Sequence, residues 1–161
     1  MPPFRALAWP RSLLQTAFDR GLVSAATSAK AWLITAGSDT GVMRLVGQAI
    51  GKQDVALPLI GIFPWGVTNG RERLAGTVGK EASYAGSRAN IDGAPLNASH
   101  THFVLVDNGK EGRAAWGSEI NLRAGVEAMV ANTKNVPIVQ LVVQGGPGTL
   151  ATVRPPPSHP N

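Results

Sequence analysis

Cysteine is absent from the 161-residue sequence. That removes disulfide bridges, a thiolate nucleophile and any Cys-based metal site from consideration. Charge is scarce: only 16% of residues are charged, and 15 basic against 10 acidic residues leave a formal net charge of +5. No Lys/Arg block concentrates this excess, so a nucleic-acid-binding stripe is not predicted. A basic cleft for a phosphorylated small molecule fits the same balance. Long apolar runs are missing too. None approaches the roughly 18–20 residues of a membrane-spanning helix, so no span is expected in this chain. His100 and His102 flank an apolar run with no acid at ligand spacing. A metal site is therefore not predicted, and His102 is assigned to strand packing.

What is present is a repeated design. Ala31 to Gly47 starts as an apolar run of strand length, breaks at Gly37 to Gly41 into small and hydroxylated residues, and resumes in a helical pattern with Val42, Met43, Leu45 and Val46. Strand, glycine-rich turn and helix aim backbone N–H groups at an anion. The same arrangement also serves as a plain connection in any α/β domain. Thr35, Ser38 and Thr40 offer hydroxyls to a phosphate or to a helix cap, and Asp39 reads as turn chemistry.

Upstream, Met1 to Ala17 carries Arg5 and Arg11 and no acid before Asp19. A transit peptide has that composition. A lead-in helix is the preferred reading, because Leu13, Leu14, Ala17, Phe18 and Leu22 continue a helical stripe past Asp19.

Downstream, Leu57–Phe63 is a second strand, stopped by Pro64. Leu74 to Ser99 has little periodicity and reads as loops. Asn97-Ala98-Ser99 matches a glycosylation pattern but lacks secretory context. His102–Asp107 is a third strand, closing on Asn108-Gly109. A helix then opens at Gly117-Ser118-Glu119, with Ser118 as N-cap and Leu122, Val126, Met129 and Val130 sharing a face. Pro137–Val143 is a fourth strand, running into Gln144 to Thr149. Strands alternating with helices predict a three-layer α/β fold with a mostly parallel sheet. Right-handed crossovers place all four strand ends on one edge, where ligands bind such sheets.

These blocks resemble a known family. Thr35 to Met43 is similar to the "TGGT-x-TGVM" segment in the cytosolic N-terminal region of melastatin-type transient receptor potential (TRPM) channels. Ile60 to Gly66 resembles "IGIAPWG", and Arg71-Glu72 matches part of "NRE", with Gly70 where Asn is usual. Leu96 to Gly109 resembles "LN-x-x-HSHFILVDDGT". Trp116 to Arg123 resembles "YG-x-E-x-x-LR". Val136–Val139 and Gln144–Leu150 resemble "VPIV" and "EGGPGTL". The blocks keep family order from about Phe18 to Val153. The resemblance divides the chain into a lead-in at 1–17, a SLOG-type nucleotide-binding domain at 18–153 and a Pro-rich tail at 154–161.

The resemblance implies a Rossmann-like SLOG fold and a ligand-sensing module without catalysis, needing no cofactor. Its implied ligand is ADP-ribose or a related adenine nucleotide. Its implied setting is cytoplasmic, at the plasma membrane when part of a full-length channel, with other channel domains or subunits as partners. Phosphate is expected on the turn residues Thr35, Gly37, Ser38, Thr40 and Gly41 and on Gly145, Gly146, Gly148 and Thr149. Trp65, Gly66 and Asn108 line the same edge. Arg123 adds a bidentate contact, or else pairs with Glu119 four residues before it. Trp116 covers the base, or else packs in the core.

Several positions depart from the pattern: Ala36 for Gly, Asn108 and Lys110 for Asp and Thr, Trp116 for Tyr, and Gln144 for Glu. SLOG relatives also include phosphoribohydrolases with a "PGG-x-GT-x-x-E" loop, but Thr152 stands where their Glu acts on the ribose. A structural interaction domain with an empty pocket is the third reading. The resembled domain continues beyond Val153, where this chain has Pro155 to Pro157. A sheet lacking that continuation is expected to expose an unpaired edge and to self-associate.

Overall fold

The computed structural model describes residues 11–53, 55–86 and 92–143, with side chains from residue 15 onward. Three strands form a parallel sheet in the order β1 (Leu33–Thr35), β2 (Leu59–Pro64) and β3 (His102–Val106). The helices are α1 (Arg11–Ala29), α2 (Gly41–Gly51) and α3 (Ile120–Lys134). Short 3-10 turns occupy Trp65–Val67, Arg71–Arg73 and Gly112–Ala115. This is an α/β fold with a parallel sheet, consistent with the Rossmann-like class.

The middle strand explains the order. β2 is the most continuously apolar run, and its Leu59, Ile62 and Phe63 are fully buried, as a strand flanked on both edges requires. The register sets Leu33 opposite Leu59, and Phe103 and Leu105 opposite Gly61 and Phe63. Side chains alternate along a strand, so these residues share one face of the sheet. Near the strand starts, α1 and α2 cover that face with Val23, Ala26, Val46, Ala49 and Ile50. Near the strand ends, loops cover it with Val67, Ala94, Leu96 and Ala115. Of the lead-in, residues 11–17 are described, and they open α1, which places Asp19 against Lys52 at 3.3 Å.

Two expectations need correction. Pro137–Val143 is not a strand: it joins no ladder among the described residues, and Ile138, Val139 and Leu141 are exposed. Its composition favours extended backbone, but a strand exists only beside a partner, and composition carries no information about that partner. Ser118 is not the N-cap of the following helix. Glu119 holds that position without a side-chain cap bond. α3 contributes no buried residue, and Leu122 and Met129 on its apolar stripe lie open to solvent.

Candidate functional site

Parallel strands deliver their exits to one edge; here the turn after β1 crosses β2, and the turns after β2 and β3 touch. β1 leaves through Gly37, whose φ of 77° favours glycine. A Cβ on Gly37 would lie 2.7 Å from the Cα of Gly61, so the first turn crosses β2 backbone to backbone, with the Phe103 ring beside it. β2 leaves through Gly66, where a Cβ would meet the Lys110 carbonyl oxygen and, at 2.8 Å, the Ala115 side chain. The turns after β2 and β3 therefore touch.

The first turn is held by a hydrogen-bonded relay. The Gly37 N–H donates to Thr35 Oγ1 (2.8 Å), and that hydroxyl meets His100 Nε2 (2.8 Å). His100 Nδ1 meets Asn97 Oδ1 (3.1 Å), and Asn97 Nδ2 donates to Asp39 Oδ1 (2.9 Å). Arg44 Nε donates to the same Asp39 oxygen (3.2 Å). Asn97 Oδ1 can only accept, so Nδ1 carries the proton and Nε2 accepts from Thr35, the neutral imidazole. Burial pushes the His100 pKa down to about 4, against a smaller raising effect from the Asn97 backbone. His100 is buried, whereas His102, assigned above to packing, is exposed with Nδ1 on the Thr101 hydroxyl. The assignment is corrected because strand alternation turns His102 outward while the residue two before it enters the turn.

The relay occupies groups that the sequence offers to phosphate. Thr35 Oγ1 is engaged on both sides. Ser38 is 1% exposed, with its hydroxyl on Thr40 at 2.8 Å. The Asp39 N–H donates to the Pro95 carbonyl. What the turn leaves toward solvent is the start of α2: Thr40 is its N-cap without a side-chain cap bond, Gly41 is exposed, and no acid lies in the first turn.

Trp65 is half-buried, with the Arg71 guanidinium 5.9 Å above its ring. Arg71 also donates to the Trp65 carbonyl and pairs with Glu111. Asn108 is exposed and bonds the Lys110 N–H at 3.0 Å, an Asx turn. Trp116 sets its edge against Phe63 (centroids 5.6 Å, interplanar angle 81°), donates Nε1–H to the Asp92 carbonyl, and remains 46% exposed. Trp65, Gly66, Asn108 and Trp116 are thus brought to the edge. Arg123 is half-buried, and its partner is Glu127 at 3.6 Å, not Glu119. Glu119 is itself buried, with Oε2 lacking a hydrogen-bond partner. Gly145, Gly146, Gly148 and Thr149 lie outside the described residues.

His100, Asn97, Arg71 and Glu111 escaped the sequence-based choice of site residues. Arg71 and Asn97 lie within recognisable blocks; Glu111 carries no motif signal. A cleft of about 240 Å³ opens at the other end of the sheet, where α2 ends and β2 begins. Its lining of Ile50, Gly51, Val55, Ala56, Leu57, Ser99 and Thr101 offers no charged side chain.

A family model described as SLOG in TRPM matches residues 10–156. A transient receptor potential cation channel subfamily M member-like 2 from Nematostella vectensis is 36% identical over 161 residues, covering 87% of this chain and 10% of that protein. Subfamily M member 1 from Mus musculus is 38% identical over 151 residues, covering 87% of this chain and 9% of that protein. Subfamily M member 2 from Rattus norvegicus is 38% identical over 161 residues, covering 87% and 10%. The chain spans about a tenth of the length of these curated relatives. Among the described residues, no helix is long and apolar enough to cross a membrane. The parallel α/β sheet, the ordered glycine turns and the match over nearly the whole chain lead to one assignment: this chain belongs to the SLOG-in-TRPM family.

Proposed function

We propose that the chain is the nucleotide-sensing part of a TRPM-type cation channel, binding ADP-ribose or a related adenine nucleotide at the carboxyl edge of its sheet without turnover. In that setting it faces the cytosol, and the other channel domains are its partners. The observation that carries the reading is the contact between the turns after β2 and β3, beside the half-exposed Trp116 ring, on the edge from which the β1 turn also leaves. An aromatic face at that edge suits a purine. The uncapped start of α2 supplies N–H groups and a positive helix end for phosphate. Arg123, the fourth residue of α3, supplies the guanidinium once it releases Glu127. Burial raises the Glu127 pKa, more than the nearby Arg123 lowers it.

Calorimetry with ADP-ribose tests this. A hydrogen bond to a charged group contributes about 1.5–3 kcal/mol, and each ~1.4 kcal/mol is tenfold in affinity. Arg123→Ala is expected to weaken binding roughly ten- to a hundred-fold. Arg123→Lys restores only part, because an ammonium cannot grip two oxygens at once. Unchanged affinity in the Ala variant would assign Arg123 to Glu127 alone. No heat from any adenine nucleotide at millimolar concentration would overturn the nucleotide reading.

Absence of turnover has its own check. AMP incubated with the chain is expected to release no adenine, since Thr152 replaces the carboxylate of the phosphoribohydrolase loop. Release at even ~1 s⁻¹, an ordinary enzyme rate, would make the chain an enzyme.

A further inference from the structure

We propose that Arg71 is an anion-binding residue of the carboxyl edge, and that Glu111 occupies it as an internal anion which the ligand's phosphate displaces. The proposal rests on the nucleotide reading above; it adds a second cation to that site and a competitor built into the chain. Arg71 opens the 3-10 turn Arg71–Arg73, straight after Gly70 with its φ of 77°. Its guanidinium lies 5.9 Å over the Trp65 ring, and Nη1 donates to the Trp65 carbonyl at 3.3 Å. Ring face and carbonyl belong to one residue of the turn after β2, so together they fix the plane and direction of the guanidinium fork. Nη2 donates to Glu111 Oε1, and Nε–H has no acceptor among the described residues.

The two sides of this ion pair are held unequally. The Arg71 side chain is 23% exposed, the Glu111 side chain 77%. Arg71 is anchored by Trp65, whereas the Glu111 carboxylate has no second partner among the described residues. An exposed carboxylate held by a single contact binds weakly, because water and salt screen it. A guanidinium grips phosphate through parallel, charge-assisted bonds and is itself weakly hydrated. Exchange of Glu111 for a phosphate therefore replaces a screened contact with a stronger one, and the cation is already in position.

The pair also sits at the junction of two strand exits. Glu111 follows Lys110, whose carbonyl lies against Gly66. Gly66 follows Trp65 and faces Ala115, the residue before Trp116. The turns that carry Arg71, Glu111 and Trp116 thus meet backbone to backbone. Lys110 is exposed and has no carboxylate partner among the described residues, while Arg113 keeps Asp92 at 3.0 Å. Displacing Glu111 therefore leaves the junction positive, which favours a ligand of more than one negative charge. The ligand class is a phosphate ester, and a diphosphate alone is enough to probe the exchange.

Calorimetry on the full chain with ADP-ribose and, separately, with inorganic pyrophosphate tests the exchange. Glu111→Gln changes an exposed side chain and keeps its size. It is expected to tighten both ligands roughly two- to fivefold, the contribution of the exposed ion pair that binding must break. Arg71→Gln is expected to weaken both by about tenfold, and in that background Glu111→Gln is expected to change nothing. A general effect of lost negative charge would tighten binding with or without Arg71, and that result would overturn the proposal. If circular dichroism shows Arg71→Gln unfolded, Arg71→Lys takes its place. It keeps the charge and loses the fork, and the gain from Glu111→Gln is then expected to shrink. ADP-ribose binding equally to the wild type and Glu111→Gln would leave the nucleotide reading standing and overturn the exchange. Pyrophosphate tightened by Glu111→Gln, with no heat from ADP-ribose, would support the exchange and overturn the nucleotide reading. No heat from either ligand in either protein would overturn both.

Discussion

Gly61→Ala is expected to lower the unfolding free energy by about 3 kcal/mol, the upper range for an overpacked site. The added methyl would sit 2.8 Å from the Gly37 Cα and 2.8 Å from the Phe103 ring. Overpacking is mild where a flexible side chain can swing aside. Here one obstacle is backbone, locked by the Thr35 and Asn97 bonds on either side of Gly37, and the other is a ring packed in the cluster with Phe63 and Leu96. For a domain of 150–250 residues each kcal/mol shifts Tm by about 2–4 °C, so the melt should fall by roughly 6–12 °C. Gly21→Ala is the control. Nothing lies within 4 Å of that site, and alanine in a helix interior gains about 0.8–1 kcal/mol over glycine. The same substitution should therefore have opposite signs at the two positions. Calorimetric melts of both variants decide the matter, and a Gly61→Ala variant melting with the wild type would mean that the crossing of Gly37 over β2 is loose.

The second large effect is acid sensitivity set by His100. Its folded pKa is about 4 against an ordinary value of 6.5. Between these values the unfolded chain binds more protons than the folded one, so stability rises with pH across the window. The neutral relay is fully present above pH 6.5 and its contribution is lost as pH falls toward 4. From pH 7 to pH 5 the loss attributable to this one imidazole is about 2 kcal/mol. Protonation puts a donor on Nε2, where the Thr35 hydroxyl now donates, and a charge inside a buried turn. His100→Gln removes the titration and keeps a polar group. Its unfolding free energy should be lower than wild type at pH 7 but nearly flat to pH 5, apart from carboxylate effects that both proteins share. Parallel slopes in urea titrations at the two pH values would show that His100 is solvated in the folded chain. Because the relay holds Gly37 in place, the acid effect falls first on the edge where the proposed nucleotide binds.

What was legible in the sequence follows from how far each signal reaches along the chain. The apolar runs at Trp32–Thr35, Leu57–Phe63 and His102–Asp107 carry strand periodicity in five or so residues, and all three form strands close to those bounds. Glycines mark where the chain must turn, and the ordered blocks mark the family. Site chemistry was less legible. Arg123 has a carboxylate four residues away in both directions, Glu119 and Glu127, and sequence spacing treats the two alike. Packing chose Glu127.

By itself, the sequence determined the local elements, the glycine turns and the family, because those depend on neighbours in the chain. Tertiary structure alone decided which histidine is buried, since the partners of His100 include Thr35, 65 residues away. It decided that Gly61 has no room for a methyl, because the obstacle comes from a different turn. It decided, too, that Pro137–Val143, mostly strand-like in composition, joins no ladder among the described residues. Propensity is a property of a segment, whereas a β-ladder is a property of two, and the second must be brought alongside by the rest of the fold.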